Sequence, residues 1–96
     1  MYVVIRKFRN MRDIPEAARR SIDELGPMLQ QVPGFRAYHV FSNGVSGGSV
    51  GLFESREAAE QANEKALLWI KDNLADFSGS ELPEVTMAEV LGSLTA

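Results

Sequence analysis

Two long stretches of this sequence carry apolar residues at the period of an α-helix, and short β-like segments flank both of them. The first stretch runs from Ile14 to Val32, with Asp13 as the expected N-cap and a kink or fresh start expected at Pro27. The second runs from Arg56 to about Phe77, with Ser55 as its expected N-cap. The chain is therefore limited to folds that contain two amphipathic helices.

The remaining segments predict four strands. Residues 2 to 8 are β-branched and aromatic, which is typical of a strand buried on both faces. Residues 35 to 41 alternate, with Phe35, Ala37, His39 and Phe41 expected on one face. Asn43-Gly44 predicts a type I′ turn, and residues 50 to 54 are expected to form the return strand of the hairpin. A loop is expected at 78 to 84, and a last strand from 85 to 91.

The order βαββαβ, with right-handed crossovers, predicts a ferredoxin-like α+β fold with one antiparallel sheet and both helices on one face. Residues 1–96 are expected to form a single domain. The other sheet face would then expose many apolar side chains, and large apolar patches seldom stay in water. We therefore expect a homodimer that covers this open face, giving a dimeric α+β barrel.

Composition excludes several classes of function. A net charge of -3 argues against nucleic-acid binding, and Arg6, Lys7, Arg9 and Arg12 are interpreted as a solvated edge. The absence of cysteine excludes disulfides and thiolate metal sites. No apolar run reaches the length of a membrane span and no signal peptide is recognisable, so a cytoplasmic protein with no membrane partner is expected.

His39 is the single histidine of the chain and the first candidate for proton transfer. The sequence offers no orienting acceptor and no further metal ligands at a convincing spacing, so a structural strand histidine is the competing interpretation. The length of the hairpin loop decides the geometry. An even loop places Tyr38 on the face of Phe53, whereas an odd loop places His39 and Gly51 there.

Other local patterns favour structure over chemistry. The glycines of "GVSGGSVG" lack the Lys-Ser or Lys-Thr of a P-loop and precede a strand, so they predict a flexible hairpin. Gly51 lies in mid-strand and leaves space for a bend or for a ligand beneath the helices. Asn63 and Trp69 are about 1.7 helical turns apart and are expected on different faces of the second helix.

Three segments, "QQVPGFRAYHVF", "VGLFESREAAEQANEKALLWIKDNL" and "PEVTMAEVL", resemble the antibiotic biosynthesis monooxygenase (ABM) superfamily of dimeric α+β barrels. The resemblance covers nearly the whole chain. It implies a small-molecule pocket between the sheet and the helices of each subunit, and in some members oxidation of aromatic polyketides without metal or flavin.

The sequence departs from two branches of this superfamily. The haem-degrading branch has an Asn in strand one, a Trp at the end of strand three and a His on helix two, where this chain has Lys7 or a neighbour, Phe53 and no histidine. The cofactor-free quinone-forming branch carries an Asn and a Trp in strand three, where this chain has Ser49 and Phe53. Haem degradation is thus disfavoured, and no cofactor or metal is expected.

Two hypotheses follow. The first is a cofactor-independent monooxygenase-like enzyme for a small aromatic or polyketide-like metabolite, with Tyr38 or His39 as proton acceptor in a cavity of roughly a few hundred Å³. The second is a non-catalytic dimeric module that binds a ligand or only assembles, with a filled interior. The residues expected around the ligand are Arg36, Ser49, Gly51, Phe53, Asn63 and Trp69.

Overall fold

The computed structural model describes residues 1–79 and 81–96, so Ser80 of the loop expected at 78 to 84 lies outside the described residues. Four strands form one antiparallel sheet in the order β2-β3-β1-β4. The strands are β1 (Tyr2–Phe8), β2 (Phe35–Ser42), β3 (Gly47–Phe53) and β4 (Glu84–Glu89). Together with helices over one face, this order confirms the predicted ferredoxin-like α+β fold.

The first helical stretch is continuous but changes its winding. It consists of α1 (Ile14–Arg20), a π-helical turn (Ser21–Leu25) and α2 (Gly26–Gln30). Pro27 has no backbone N–H and cannot continue a regular helical ladder, so the interruption expected there appears as a wider turn just before it. The prediction of Asp13 as a side-chain cap is wrong, because its φ is 47° and its carboxylate makes no capping hydrogen bond.

The second helical stretch divides into α3 (Arg56–Asn73) and a short α4 (Ala75–Ser78), so the single helix expected to about Phe77 ends earlier. The predicted cap at Ser55 is confirmed, since its Oγ accepts a hydrogen bond of 3.1 Å from the Ala58 amide. The buried face of α3 is mostly alanine, which lets the helix pack closely on the sheet; it comprises Ala58, Ala59, Ala62, Ala66, Trp69 and Ile70.

A β-bulge in β2 corrects the predicted alternation. The pairing with β3 shifts between Phe35 and Ala37, so Phe35 does not share a face with Ala37 and His39. The hairpin loop has four residues, 43 to 46, which is the even alternative, and the expected type I′ turn is wrong because Gly44 has a positive φ of 92° and Asn43 does not. Asn43 closes it by accepting hydrogen bonds of 2.9 Å from the Val45 and Ser46 amides. β3 begins at Gly47, earlier than the expected residue 50, and β4 ends at Glu89, earlier than the expected residue 91.

The even hairpin loop fixes which side chains lie under the helices. Tyr38 pairs with Gly51 and Val40 with Ser49, so these residues face the helices, and His39 faces the other way. On β1 the helix-facing residues Val4, Arg6 and Phe8 are buried. The prediction that β1 is buried on both faces is not met in the single chain, because its residues on the open face are only half-buried or exposed.

Among the described residues, no helix has the length and apolar character needed to span a bilayer.

Candidate functional site

A small cavity of about 30 Å³ lies between α1 and the sheet. Its wall is mostly apolar, with Met11, Ile14 and Ala18 on one side and Val40 on the other. Three hydroxyl groups interrupt this apolar wall, those of Ser21, Tyr38 and Ser49. An apolar space with a few oriented polar groups is the usual character of a ligand site, although this one has room for only about one or two water molecules.

Arg6 lies directly behind the cavity wall and is only 2% exposed. It pairs with Ser49 across β1 and β3, and its Nη1 donates a hydrogen bond of 3.4 Å to the Ser49 hydroxyl. Its Nε donates a bond of 3.2 Å to Oδ1 of Asn63 on α3. The sheet has room for this long side chain because the helix-facing residues of β3 are small at Gly47, Ser49 and Gly51.

The burial of Arg6 corrects the interpretation of the N-terminal basic residues as a solvated edge. Composition alone favoured exposure, since arginine is rarely fully buried. The alternation of side chains along the strand could have predicted this burial, because Arg6 is two residues from both Val4 and Phe8 and therefore lies on the same face under the helices. Ser21, a second cavity residue, was also missed because the helical pattern gives it no distinguishing mark.

The charges of the site act on each other. Burial raises the pKa of the Tyr38 phenol, while the nearby positive charge of Arg6 and hydrogen bonding with Ser49 and Ser21 partly oppose that rise. Burial also lowers the pKa of the Arg6 guanidinium. Tyr38 is therefore a neutral phenol at physiological pH and acts there as a hydrogen-bond donor or acceptor.

The π-helical turn sets the position of Ser21. This residue begins the turn, and its hydroxyl donates a hydrogen bond of 2.9 Å to the Ala17 carbonyl in the preceding turn. With its one proton used in this way, the Ser21 oxygen remains an acceptor towards the cavity and towards Tyr38.

The structure separates the two proposed catalytic residues. Tyr38 lines the cavity, whereas His39 is exposed on the open face opposite Val50 and cannot reach it. Arg36 also lies away from the cavity: it is exposed at the β-bulge and forms an ion pair of 3.1 Å with Glu54. Neither His39 nor Arg36 is placed for contact with a ligand beneath the helices.

Of the remaining residues predicted to bind a ligand, some lie at the cavity and others are packed in the hydrophobic core. Ser49 lines the cavity, and Asn63 supports Arg6 one layer behind it. Phe53 is 1% exposed and packs edge-to-face on Phe35, outside the cavity wall. Its ring also fills the space over Gly51, where an added Cβ would lie 2.9 Å from a ring atom. The room expected at Gly51 is therefore already occupied.

Trp69 is a core residue in this chain. It is 7% exposed on the buried face of α3, and it is absent from the cavity wall. Its backbone carbonyl accepts a hydrogen bond of 2.9 Å from the Asn73 side chain. The enclosed cavity expected for an enzyme had a volume of roughly a few hundred Å³, whereas the space lined by Tyr38 has about 30 Å³. Within residues 1–79 and 81–96, no cluster of three metal-ligating side chains occurs.

Sequence comparison gives no assignment: no family model matches the chain, and no curated protein matches it.

Solved structures resemble it over nearly its whole length. One is a mutant of SnoaB, a cofactor-independent oxygenase from Streptomyces nogalater, with a TM-score of 0.74, 13% identity and coverage of 99% of this chain and 97% of that one. Another is the monooxygenase of the gene ActVA-Orf6 of Streptomyces coelicolor in complex with nanaomycin D, with a TM-score of 0.75, 12% identity and coverage of 99% and 91%.

A third is a dimeric ferredoxin-like protein from an uncultured marine organism, with a TM-score of 0.63, 11% identity and coverage of 99% and 96%. At these identities the comparisons show the fold. The fold that the resemblance to the ABM superfamily implied is confirmed, since this chain has the fold of the SnoaB oxygenase and of the ActVA-Orf6 monooxygenase.

Proposed function

We propose that this chain binds a small aromatic or polyketide-like metabolite beneath its helices and oxidises it with molecular oxygen without a cofactor. The observation that carries the proposal is the set of hydroxyl groups of Tyr38 and Ser49 on an apolar cavity wall, with the buried charge of Arg6 behind them. Buried polar groups of this kind lower the stability of a purely structural core. Their presence is explained if they orient a bound ligand.

Tyr38 is the titratable side chain of the cavity wall. In its neutral form it donates a hydrogen bond to a ligand oxygen and holds the ring in place. A role as proton acceptor requires the tyrosinate form, which burial disfavours and Arg6 favours. The apolar remainder of the wall excludes water from an oxidation-sensitive intermediate.

Oxygen uptake tests the proposal. Purified protein is mixed with a panel of dihydroxynaphthalenes and hydroxyanthrones, and dissolved oxygen is followed with an electrode. We expect uptake above the spontaneous rate for at least one compound, and a loss of about a hundredfold to ten-thousandfold in Tyr38→Phe, the range of acid–base contributions. His39→Gln should retain the wild-type rate.

The opposite pattern would reject the cavity as the reaction site: loss in the His39 variant with full activity in the Tyr38 variant. No uptake with any compound would reject the oxygenase function.

A second function is a non-catalytic dimeric module that binds a ligand or only assembles. The cavity volume of about 30 Å³ favours it, because a polyketide ring system does not fit without repacking. A thermal-shift screen separates the two ideas. A ligand present at 100 times its Kd should stabilise the fold by about 2.7 kcal/mol. Stabilisation without oxygen uptake would favour the binding module.

We also propose that two copies associate through the open sheet face. Val3, Ile5, Val50 and Leu52 lie there at paired positions of β1 and β3 and are only half-buried in the single chain. Association would bury this apolar surface. The dimeric description of one solved structure of the same fold supports this arrangement.

A further inference from the structure

The guanidinium of Arg6 is a buried positive charge that the chain leaves without a counter-charge. Both of its side-chain hydrogen bonds go to neutral oxygens, of Asn63 and Ser49. In the described parts of the chain, 1–79 and 81–96, no carboxylate forms an ion pair with it. A buried charge is costly unless it is paired. An anion supplied from outside the chain would provide the missing partner.

Two hydroxyl groups beside Arg6 can donate hydrogen bonds to such an anion. Ser49 accepts a hydrogen bond from Arg6, so its own proton is available to an acceptor on the cavity side. Tyr38 brings a second O–H to the same wall; in the empty cavity it interacts with the hydroxyls of Ser49 and Ser21, and an entering anion would replace one of these partners. Two neutral donors backed by a fixed positive charge are complementary to an ionised oxygen atom, as in an oxyanion site.

The cavity alone is too small for an aromatic ring, but a larger groove adjoins it. This groove has a volume of about 570 Å³ and is open to solvent between α1 and the β2–β3 hairpin. Cavity and groove share five wall residues, Met11, Ile14, Ala18, Val40 and Phe41. A ligand that extends from one space into the other has to displace part of this shared wall, and Met11 is its most flexible side chain.

We propose that this site binds a small aromatic ligand through a singly charged oxygen group, a phenolate or a carboxylate, held by the Ser49 and Tyr38 hydroxyls and balanced by Arg6. The ring of the ligand lies in the adjoining apolar groove. This inference rests on the proposed function, because it assumes the same binding site. It adds that the ligand is negatively charged, which the proposed function leaves open.

Equilibrium binding of small probes tests the charge preference. Benzoate and 4-nitrophenolate are the anionic probes, and benzamide and nitrobenzene are neutral compounds of similar shape. We expect the wild-type protein to bind at least one anion about tenfold or more tightly than its neutral counterpart, the scale of one charge interaction inside a protein. Binding of benzoate alone would identify a carboxylate ligand, and binding of 4-nitrophenolate alone a phenolate.

Variants locate the source of the preference. Arg6→Met should remove it, whereas Arg56→Met, which removes the same charge from the exposed start of α3, should keep it. Ser49→Ala retains Arg6 and should weaken the binding of anions more than of neutral probes, so it serves as a second test if the Arg6 variant does not fold. The absorbance of 4-nitrophenol gives a direct readout, because the wild-type site should increase its ionised fraction at constant pH.

Equal affinity for neutral and anionic probes would overturn this inference, as would an anion preference that survives in both Arg6→Met and Ser49→Ala. Binding of none of the probes would overturn it as well. Anion-selective binding without oxygen uptake supports the charged site and rejects the oxygenase. Oxygen uptake from aromatic hydroxyl compounds without a charge preference supports the oxygenase and rejects the charged site.

Discussion

Tyr38 and Arg6 share one buried environment, and each alters the ionisation of the other. Burial raises the pKa of Tyr38, and the positive charge of Arg6 limits that rise. The same burial lowers the pKa of Arg6, and Tyr38 limits that fall. Near neutral pH the phenol is protonated and the guanidinium is charged, so the pair supplies one donor and one positive charge to the cavity.

Alkaline stability reports on Tyr38 directly. Its pKa in the folded chain is raised above the value of about 10 in the unfolded chain. Above that pH the unfolded chain loses the Tyr38 proton while the folded chain keeps it, so the free energy of unfolding falls, by at most about 1.4 kcal/mol per pH unit, until the folded pKa is passed. Below the unfolded pKa the stabilisation is fully present.

Urea denaturation between pH 8 and pH 11 measures this effect in the wild type and in Tyr38→Phe. The wild-type protein should lose more stability over this interval than the variant. Parallel curves for the two proteins would contradict the prediction, because the contributions of the other groups are common to both.

The elements of the fold could be predicted from the sequence wherever periodicity is local. The helix cap at Ser55 and the order of strands and helices follow from residues close together in the chain. The bulge between Phe35 and Ala37 does not, because it depends on how β2 fits against β3. The burial of Arg6 likewise depends on a neighbouring strand with small side chains, which no single segment of sequence displays.

The start of α3 gives a prediction for an element. Ser55→Ala removes the acceptor of the Ala58 amide and should lower the free energy of unfolding by about 1 kcal/mol. Chemical denaturation measures the change. Ser93→Ala is the matched control, because Ser93 lies in the exposed C-terminal segment. An equal effect of both substitutions would show that the hydrogen bond of Ser55 does not stabilise the helix.

At the scale of the whole molecule, the sheet has helices on one face and none on the other. The open face contains apolar side chains from β1 and β3 that are only half-buried in one chain. The C-terminal segment carries further exposed apolar side chains, since Leu91 and Leu94 are 91% and 102% exposed. A protein with so much apolar surface is expected to associate with itself.

Leu52→Glu should shift the protein from dimer to monomer at micromolar concentration, because a carboxylate at the centre of the open face would be buried without a partner. Analytical ultracentrifugation measures the shift. The control is Leu68→Glu, since Leu68 is 65% exposed on α3 and on the helical side of the molecule. A wild-type monomer, or an equal shift in the two variants, would contradict association through the sheet.

The narrow side chains of β3 have an evolutionary consequence. At Gly47 a methyl group would lie 3.0 Å from the Phe41 carbonyl oxygen, and at Gly51 it would lie 2.9 Å from the Phe53 ring. Mutation at either position therefore forces the surrounding backbone or ring to move. Position 49 lies between them and already carries a Cβ, so a small side chain is accommodated there. Exchange of Ser49 for another small residue is therefore the simplest substitution by which evolution could change the polarity of the cavity wall.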